Sequence, residues 1–283
     1  MEHSRPRLRG IAPGRNARLV TMNSLHIGAH VDQIDPIAEA AARGADIVQF
    51  FLGEPQSWKK PATRYEGGAA ALRAAAEEAG IGLYIHAPYI INVASPNNRI
   101  RIPSRKLLQQ TVTEAAAVGA RGVIVHGGHV TADDDPAVGY DNWRKAVDGL
   151  NLEVPILIEN TAGGNNAMAR HLEAIRGVWE AISTSDNLDS VGFCVDTCHA
   201  HAGGLDLATL VDDILGITGR IDLVHCNDSR DIAGSGADRH TGLGNGEINR
   251  DDIAAVVRGA NAPVILETPG DGHVSEIAWL RGL

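Results

Sequence analysis

Apolar residues along this chain gather in short runs that recur. Each run is followed by a polar or glycine-containing loop and then by an alanine-rich stretch with apolar positions near i, i+3 and i+4. The runs are HIGAHV (26–31), DIVQFFL (46–52), GLYIHAP (82–88), GVIVHGG (122–128), PILIEN (155–160), VGFCVDT (191–197), IDLVHCND (221–228) and PVILETP (263–269). Helices are predicted between them over Pro36 to Arg43, Glu66 to Ala79, Ser104 to Val118, Ala167 to Ser183 and Leu207 to Thr218. Continuous apolar strands alternating with helices imply a parallel sheet covered on both faces. Eight such units in about 250 residues predict an α/β fold of the (β/α)8 TIM-barrel kind, a single catalytic domain over residues 23–283. An open doubly wound sheet is the alternative, but the glycine fingerprint of its first turn is not found.

Composition adds three constraints. No uninterrupted apolar run approaches the ~20 residues of a membrane span, so no membrane partner is expected. Residues 1–22 carry five arginines without the apolar segment of a secretory signal, and read as a disordered basic extension. The three cysteines, Cys194, Cys198 and Cys226, are odd in number and lack a disulfide spacing, which fits a reducing cytoplasm. A formal net charge of -10 argues against a broad basic face wrapped in nucleic acid, but leaves room for a local positive site or bound metal.

The strand ends carry the chemistry. His86, His126, Glu159, Asp196, His225 and Glu267 stand at or near the C-terminal ends of six runs, and His30 adds a seventh. A barrel brings those ends to one face, where active sites are built. Each residue taken singly reads as a polar side chain entering a loop. Seven together in one mouth would leave like charges and unpaired ions desolvated, a cost that divalent metal removes.

Two loops extend the set. In CVDTCHAHAGG (194–204), Asp196 ends its strand and His199 follows three residues later, able to face the same site from the first turn of the loop. Cys194 shares strand parity with Asp196 and reads as a small core residue. Cys198 has no partner at zinc-binding spacing, and His201 reads as an ordinary loop histidine. In GSGADRHTGLGNGEI (234–248), Asp238 and His240 lie two residues apart and can project to one side of an extended stretch. With His199 they make a plausible further set.

The segments YIHAPYIIN, VIVHGGH, ILIENTAGG, CVDTCHAHAGG, LVHCNDS, GADRHTGLGNGEI and VILET, in this order, resemble the endonuclease IV family of apurinic/apyrimidinic endonucleases. The resemblance implies a zinc-dependent phosphodiesterase of base excision repair. Such an enzyme hydrolyses the bond 5′ to an abasic site, leaving a 3′-hydroxyl and a 5′-deoxyribose phosphate, and also acts on blocked 3′ ends. It implies three Zn2+ per chain, with Mn2+ an alternative occupant at one or more sites. The first metal would take His86, His126 and Glu159, with Glu159 bridging to the second. The second would also take Asp196, His225 and Glu267, and the third His199, Asp238 and His240. Glu159 and Glu267 are the expected catalytic pair, Glu267 also positioning the attacking water. Four ligand carboxylates against three divalent cations leave a loaded site of about +2, which suits phosphate.

The expected partner is double-stranded DNA, met by a monomer. Tyr89 matches a family substrate-contact position, and Gln56, Trp58 and Arg239 are read as further DNA contacts. The loop stretches EPQSWKK (54–60) and NNRIRIPSRK (97–106) offer cations for phosphate. Many relatives carry Asn-Pro-Arg where this chain has Glu54-Pro55-Gln56, which predicts weaker insertion into the base stack. The loop HVDQIDP (30–36) also departs from the small-residue pattern common after its histidine.

Two other readings share the residues. A sugar isomerase or epimerase on the same barrel would use one divalent metal held by Glu159, Asp196, His225 and Glu267, but has no evident need for His86, His126, His199, Asp238 and His240. A lesion-binding or metal-buffering protein has no evident need for an intact Glu267 and the complete set.

Overall fold

The computed structural model describes residues 25–164 and 166–283. The extension expected over residues 1–22 lies outside them. Eight parallel strands close into a barrel: β1 (Ile27–His30), β2 (Ile47–Phe51), β3 (Gly82–His86), β4 (Val123–His126), β5 (Ile156–Glu159), β6 (Val191–Asp196), β7 (Leu223–His225) and β10 (Val264–Leu266). Each pairs with its sequence neighbour, and β1 closes on β10 with Ile27 opposite Val264. A two-stranded antiparallel ribbon, β8 (Asp228–Ser229) with β9 (His240–Thr241), sits in the connection after β7.

The period-2 alternation of a strand sorts side chains between two cores. Ile47, Tyr84, Ile124, Leu157, Cys194, Leu223 and Ile265 form one cluster inside the barrel. Their strand neighbours Val48, Leu83, Val123, Ile158, Val195 and Val264 pack outward in the larger cluster under the helices. The parity expected for Cys194 is therefore observed. On β1 the corresponding inner position is Gly28, where an added Cβ would meet the Ile47 carbonyl oxygen at 1.6 Å. The strands approach too closely there for any side chain.

The helices are α1 (Pro36–Arg43), α2 (Gly68–Ala79), α3 (Asn98–Ala117), α4 (Pro136–Gly149), α5 (Leu172–Ile182), α6 (Thr197–Gly203), α7 (Leu210–Thr218), α8 (Arg250–Ala260) and α9 (His273–Arg281). The first matches its expected bounds. α2, α5 and α7 begin later than expected, because the residues ahead of them form turns and loops. α3 begins six residues before the expected Ser104, capped by Asn97, whose side chain accepts from Arg99 N–H. Its Pro103, the sixth residue, lies past the first turn and offers no N–H to the Arg99 carbonyl, so the helix runs through it with one ladder bond missing. The stretch 97–106 is thus mostly helix, a correction to the loop reading. Arg101 donates to the carbonyls of Ser95 and Pro96, and Arg105 to that of Asn142, so both bind backbone instead of standing free for phosphate. α4, α6, α8 and α9 are additional to the five helices expected. Among the described residues no helix is long and apolar enough to cross a membrane.

Candidate metal centre

Two residues beyond each inner apolar side chain, toward the C-terminal end of the barrel, comes a polar one. Tyr84 is followed by His86, Ile124 by His126, Leu157 by Glu159, Cys194 by Asp196, Leu223 by His225 and Ile265 by Glu267. The same parity places His30 above Gly28 and Gln49 above Ile47. A polar layer therefore stands on an apolar one, at the face where barrel loops gather.

Glu159 is the centre of that layer and is fully buried. Its Oε2 lies 3.3 Å from His86 Nε2 and 3.3 Å from His126 Nε2. Its Oε1 lies 2.8 Å from His225 Nδ1 and 3.3 Å from His199 Nδ1. The two oxygens of one carboxylate thus face different groups of imidazoles. Glu267 Oε2 reaches His225 Nδ1 at 3.3 Å. Asp238 Oδ1 lies 3.1 Å from His199 Nε2 and 3.2 Å from His240 Nε2.

His199 comes from a short helix, α6, and not from the loop expected after β6. Asp196 is the N-cap of that helix, its Oδ1 accepting from His199 N–H at 2.6 Å, while its Oδ2 faces His225 and His240. Asn227 Nδ2 donates to Asp196 Oδ2 at 2.6 Å. Asp238 and His240 arrive on the loop that the β8–β9 ribbon ties down.

The charge states are set by burial working against neighbours. Burial favours the neutral form of Glu159, but His225 and His126 beside it hold its carboxyl well below the usual range. Burial also disfavours charge on His199, yet Asp196, Asp238 and Glu159 raise its pKa well above the ordinary value. His240 rises to about 11 in the same way, through Asp196 and Asp238. Burial works to raise Glu267, but His225, His240 and His86 together bring it down to about 2. Asp196 moves up, burial being the largest cause. His30 moves down to about 4 by burial, so it is neutral near pH 7.

The donor set fits cations. His86 donates Nδ1–H to the Ala87 carbonyl at 2.7 Å, so a neutral ring turns an unprotonated Nε2 toward Glu159 Oε2. That oxygen is buried with no hydrogen-bond partner, and buried His240 Nε2 likewise has none. His86 Nε2 and Glu159 Oε2, two acceptors aimed at one another, need a proton or a cation between them. His/carboxylate groups close enough to share an ion are His86, His126 and Glu159; Glu159, Asp196, His225 and Glu267; and Asp196, His199 and His240. Cys198 approaches Asp238 and His240, and Cys194 approaches Glu159 and His225, both thiols buried. Burial pushes the Cys194 thiol up to about 12, which keeps it a neutral core group.

The expected DNA-contact residues are spread around the mouth. Tyr89 and Trp58 are half exposed and line a groove of about 670 Å³ with Asn92, Ile100, His126 and His129. The Tyr89 ring packs 5.1 Å from His86 and 5.5 Å from His126, directly over the first group. Gln56 is exposed on the loop after β2. Glu54, two residues before it, is neutralised by Arg64, whose Nη2 lies 2.6 Å from Oε1. Arg239 is exposed but pairs with Asp231. His30 belongs to none of the three groups; its Nδ1 meets Gln49 at 3.0 Å. Gln49 itself is absent from the sequence-based candidates, and polar parity inside DIVQFFL is the signal that reveals it.

Barrel and mouth together define a metal-binding enzyme architecture of the xylose isomerase-like TIM-barrel class, the family whose pattern residues 37–283 match. A protein of Mycobacterium bovis described as probable endonuclease 4 is 56% identical over 255 residues, 90% of this chain and 97% of that one. The crystal structure of endonuclease IV from Thermus thermophilus superposes with a TM-score of 0.77 at 27% identity, over 91% of this chain and 98% of its own. A D-tagatose 3-epimerase-like protein shares the fold with a TM-score of 0.72 at 17% identity, over 91% and 96%. The chain belongs to the endonuclease IV family.

Proposed function

We propose that this protein is a DNA-repair nuclease that hydrolyses the phosphodiester 5′ to abasic sites, leaving a 3′-hydroxyl and a 5′-deoxyribose phosphate, and also trims blocked 3′ ends. The observation that carries this reading is the convergence of eight side chains, all of metal-ligating type, around the buried Glu159. His86, His126 and Glu159 would hold one zinc ion. Glu159, Asp196, His225 and Glu267 would hold a second, and His199, Asp238 and His240 a third, with Mn2+ an alternative occupant. Bound divalent metal supplies Lewis-acid charge to the attacking and leaving oxygens of an in-line displacement. The chain's own contribution is orientation: Glu159 turns one oxygen to each of two groups, and Glu267, whose Oε2 faces His225, would bind the second ion and so help place the attacking water beside it. The buried unpaired cysteines suit the reducing cytoplasm in which a monomer would meet duplex DNA.

A sugar epimerase would need only the group of Glu159, Asp196, His225 and Glu267. The additional grouping of His86 and His126, and of His199 with Asp238 and His240, favours a substrate carrying phosphate charge. Protein as purified is expected to cleave a duplex oligonucleotide 5′ to one central abasic site without added metal. A chelator should abolish cleavage slowly, because multidentate ligands release metal slowly, and zinc should restore it. No cleavage in zinc-replete protein, together with turnover of a ketose, would replace this reading with the epimerase.

Tyr89, standing over the first group, is the proposed wedge against exposed bases, with Gln56, Trp58 and Arg239 around it. Stacking on one base is worth about 1–3 kcal/mol, so Tyr89→Ala should raise KM for the abasic duplex about fivefold or more. The change in kcat should be smaller. An unchanged KM would remove Tyr89 from the DNA face.

A further inference from the structure

We infer that Gln49 is a positioning residue for the second metal group, its side-chain amide fixing which nitrogen of His225 and which oxygen of Glu267 face the ion. Gln49 lies on β2 between His30 of β1 and Tyr84 of β3, and is fully buried. A primary amide there is costly unless its donors and acceptor are used. All are used: Oε1 meets His225 Nε2 at 2.8 Å, while Nε2 meets Glu267 Oε1 at 2.7 Å and His30 Nδ1 at 3.0 Å.

The chemistry of the partners settles the orientation of this amide. An ionised carboxylate only accepts, so the amide nitrogen must face Glu267 and the amide oxygen must face His225. His225 must then carry its hydrogen on Nε2. Its Nδ1 is left pointing at Glu159 Oε1, 2.8 Å away, at Glu267 Oε2, 3.3 Å away, and at Asp196 Oδ2, 4.0 Å away. That is the centre of the group. The same amide occupies Glu267 Oε1, so Oε2 is the oxygen that remains for an ion.

His86 and His199 are oriented by backbone instead, through the carbonyls of Ala87 and Asn160. His225 and Glu267 stand on the neighbouring strands β7 and β10, and one side chain from β2, on the far side of β1, sets both. Partners of this kind, which orient a ligand through its other polar atom, typically change metal affinity 10–100-fold when removed.

The inference rests on the metal-centre reading, and the test separates the two. In zinc-loaded wild-type protein, nitrogen-15 NMR is expected to show His225 protonated at Nε2 and metal-bound at Nδ1. Metal at Nε2 would overturn the inference, and no zinc near His225 at all would overturn the metal centre itself. Gln49→Met keeps the volume and removes all three hydrogen bonds. Competition with a chromogenic chelator should then show one zinc released about 10–100-fold more readily, the others unchanged. Cleavage should fall in step and recover with excess zinc. Unchanged affinity for every zinc, with only a lowered melting temperature of the metal-free protein, would reduce Gln49 to a structural role.

Discussion

Replacing Glu159 with Gln is expected to abolish cleavage and to strip metal from two groups at once. The substitution changes almost no volume but exchanges one accepting oxygen for an amide and removes a charge. In the wild type each oxygen faces two imidazole nitrogens, all within 3.3 Å. An uncompensated buried ionic cluster costs about 3–5 kcal/mol, and a loss of that size in the transition state is about a thousandfold in rate. Normal turnover by the variant would rule out Glu159 as the bridge.

The metal-free protein gives a second readout of the same substitution. Glu159 is held below its ordinary 4.5, so its contribution to stability is present above that value and lost as pH falls through the folded one. His199 and His225 are raised above 6.5, so theirs is full below 6.5 and lost as pH rises through the folded values. Both conditions hold between about pH 4.5 and 6.5. Denaturation midpoints of wild type and Glu159→Gln should therefore differ most in that window and converge on either side of it.

The sequence carries this centre unusually openly because a barrel converts strand position into spatial position. A run such as PILIEN or LVHCND needs only its C-terminal end identified to place Glu159 or His225 at the mouth. Strand parity then makes the polar layer follow from the apolar one. Local rules fail where a side chain bonds across the barrel. Gln49 is not a metal-ligating type, and its role exists only because β7 and β10 bring His225 and Glu267 to it. The start of α3 is hidden by Pro103, which reads as a helix breaker although the helix runs through it. α6 is hidden because Asp196, needed at the mouth, is also its N-cap. The Gln56 region gains a feature the sequence does not announce: Arg64, ten residues beyond Glu54, neutralises the carboxylate that would otherwise oppose a phosphate.

Asp228→Asn should weaken both the fold and the third metal group. Asp228 is fully buried, and its carboxylate accepts four backbone N–H groups. Oδ1 takes those of Ser229 at 2.8 Å and Ile248 at 3.0 Å; Oδ2 takes those of Gly244 and Gly246 at 2.9 Å each. One carboxylate thereby folds the GLGNGEI turn back on β8, and β8 pairs Ser229 with His240 on β9. Gly246 allows that approach, since a Cβ there would lie 2.2 Å from the Ser229 carbonyl oxygen. An asparagine keeps one accepting oxygen but turns an NH2 group toward two N–H donors. Hydrogen bonds to a charged group contribute about 1.5–3 kcal/mol each, so with two lost a destabilisation of about 3 kcal/mol is expected. The midpoint in denaturant should fall accordingly. His240 and Asp238, released from the ribbon, should hold the metal ion proposed there less tightly, while His86, His126 and Glu159, anchored on β3, β4 and β5, should be unaffected. Equal weakening of all three groups would mean that the loop is not held independently of the barrel. An unchanged midpoint would mean that Asp228 is not what holds it.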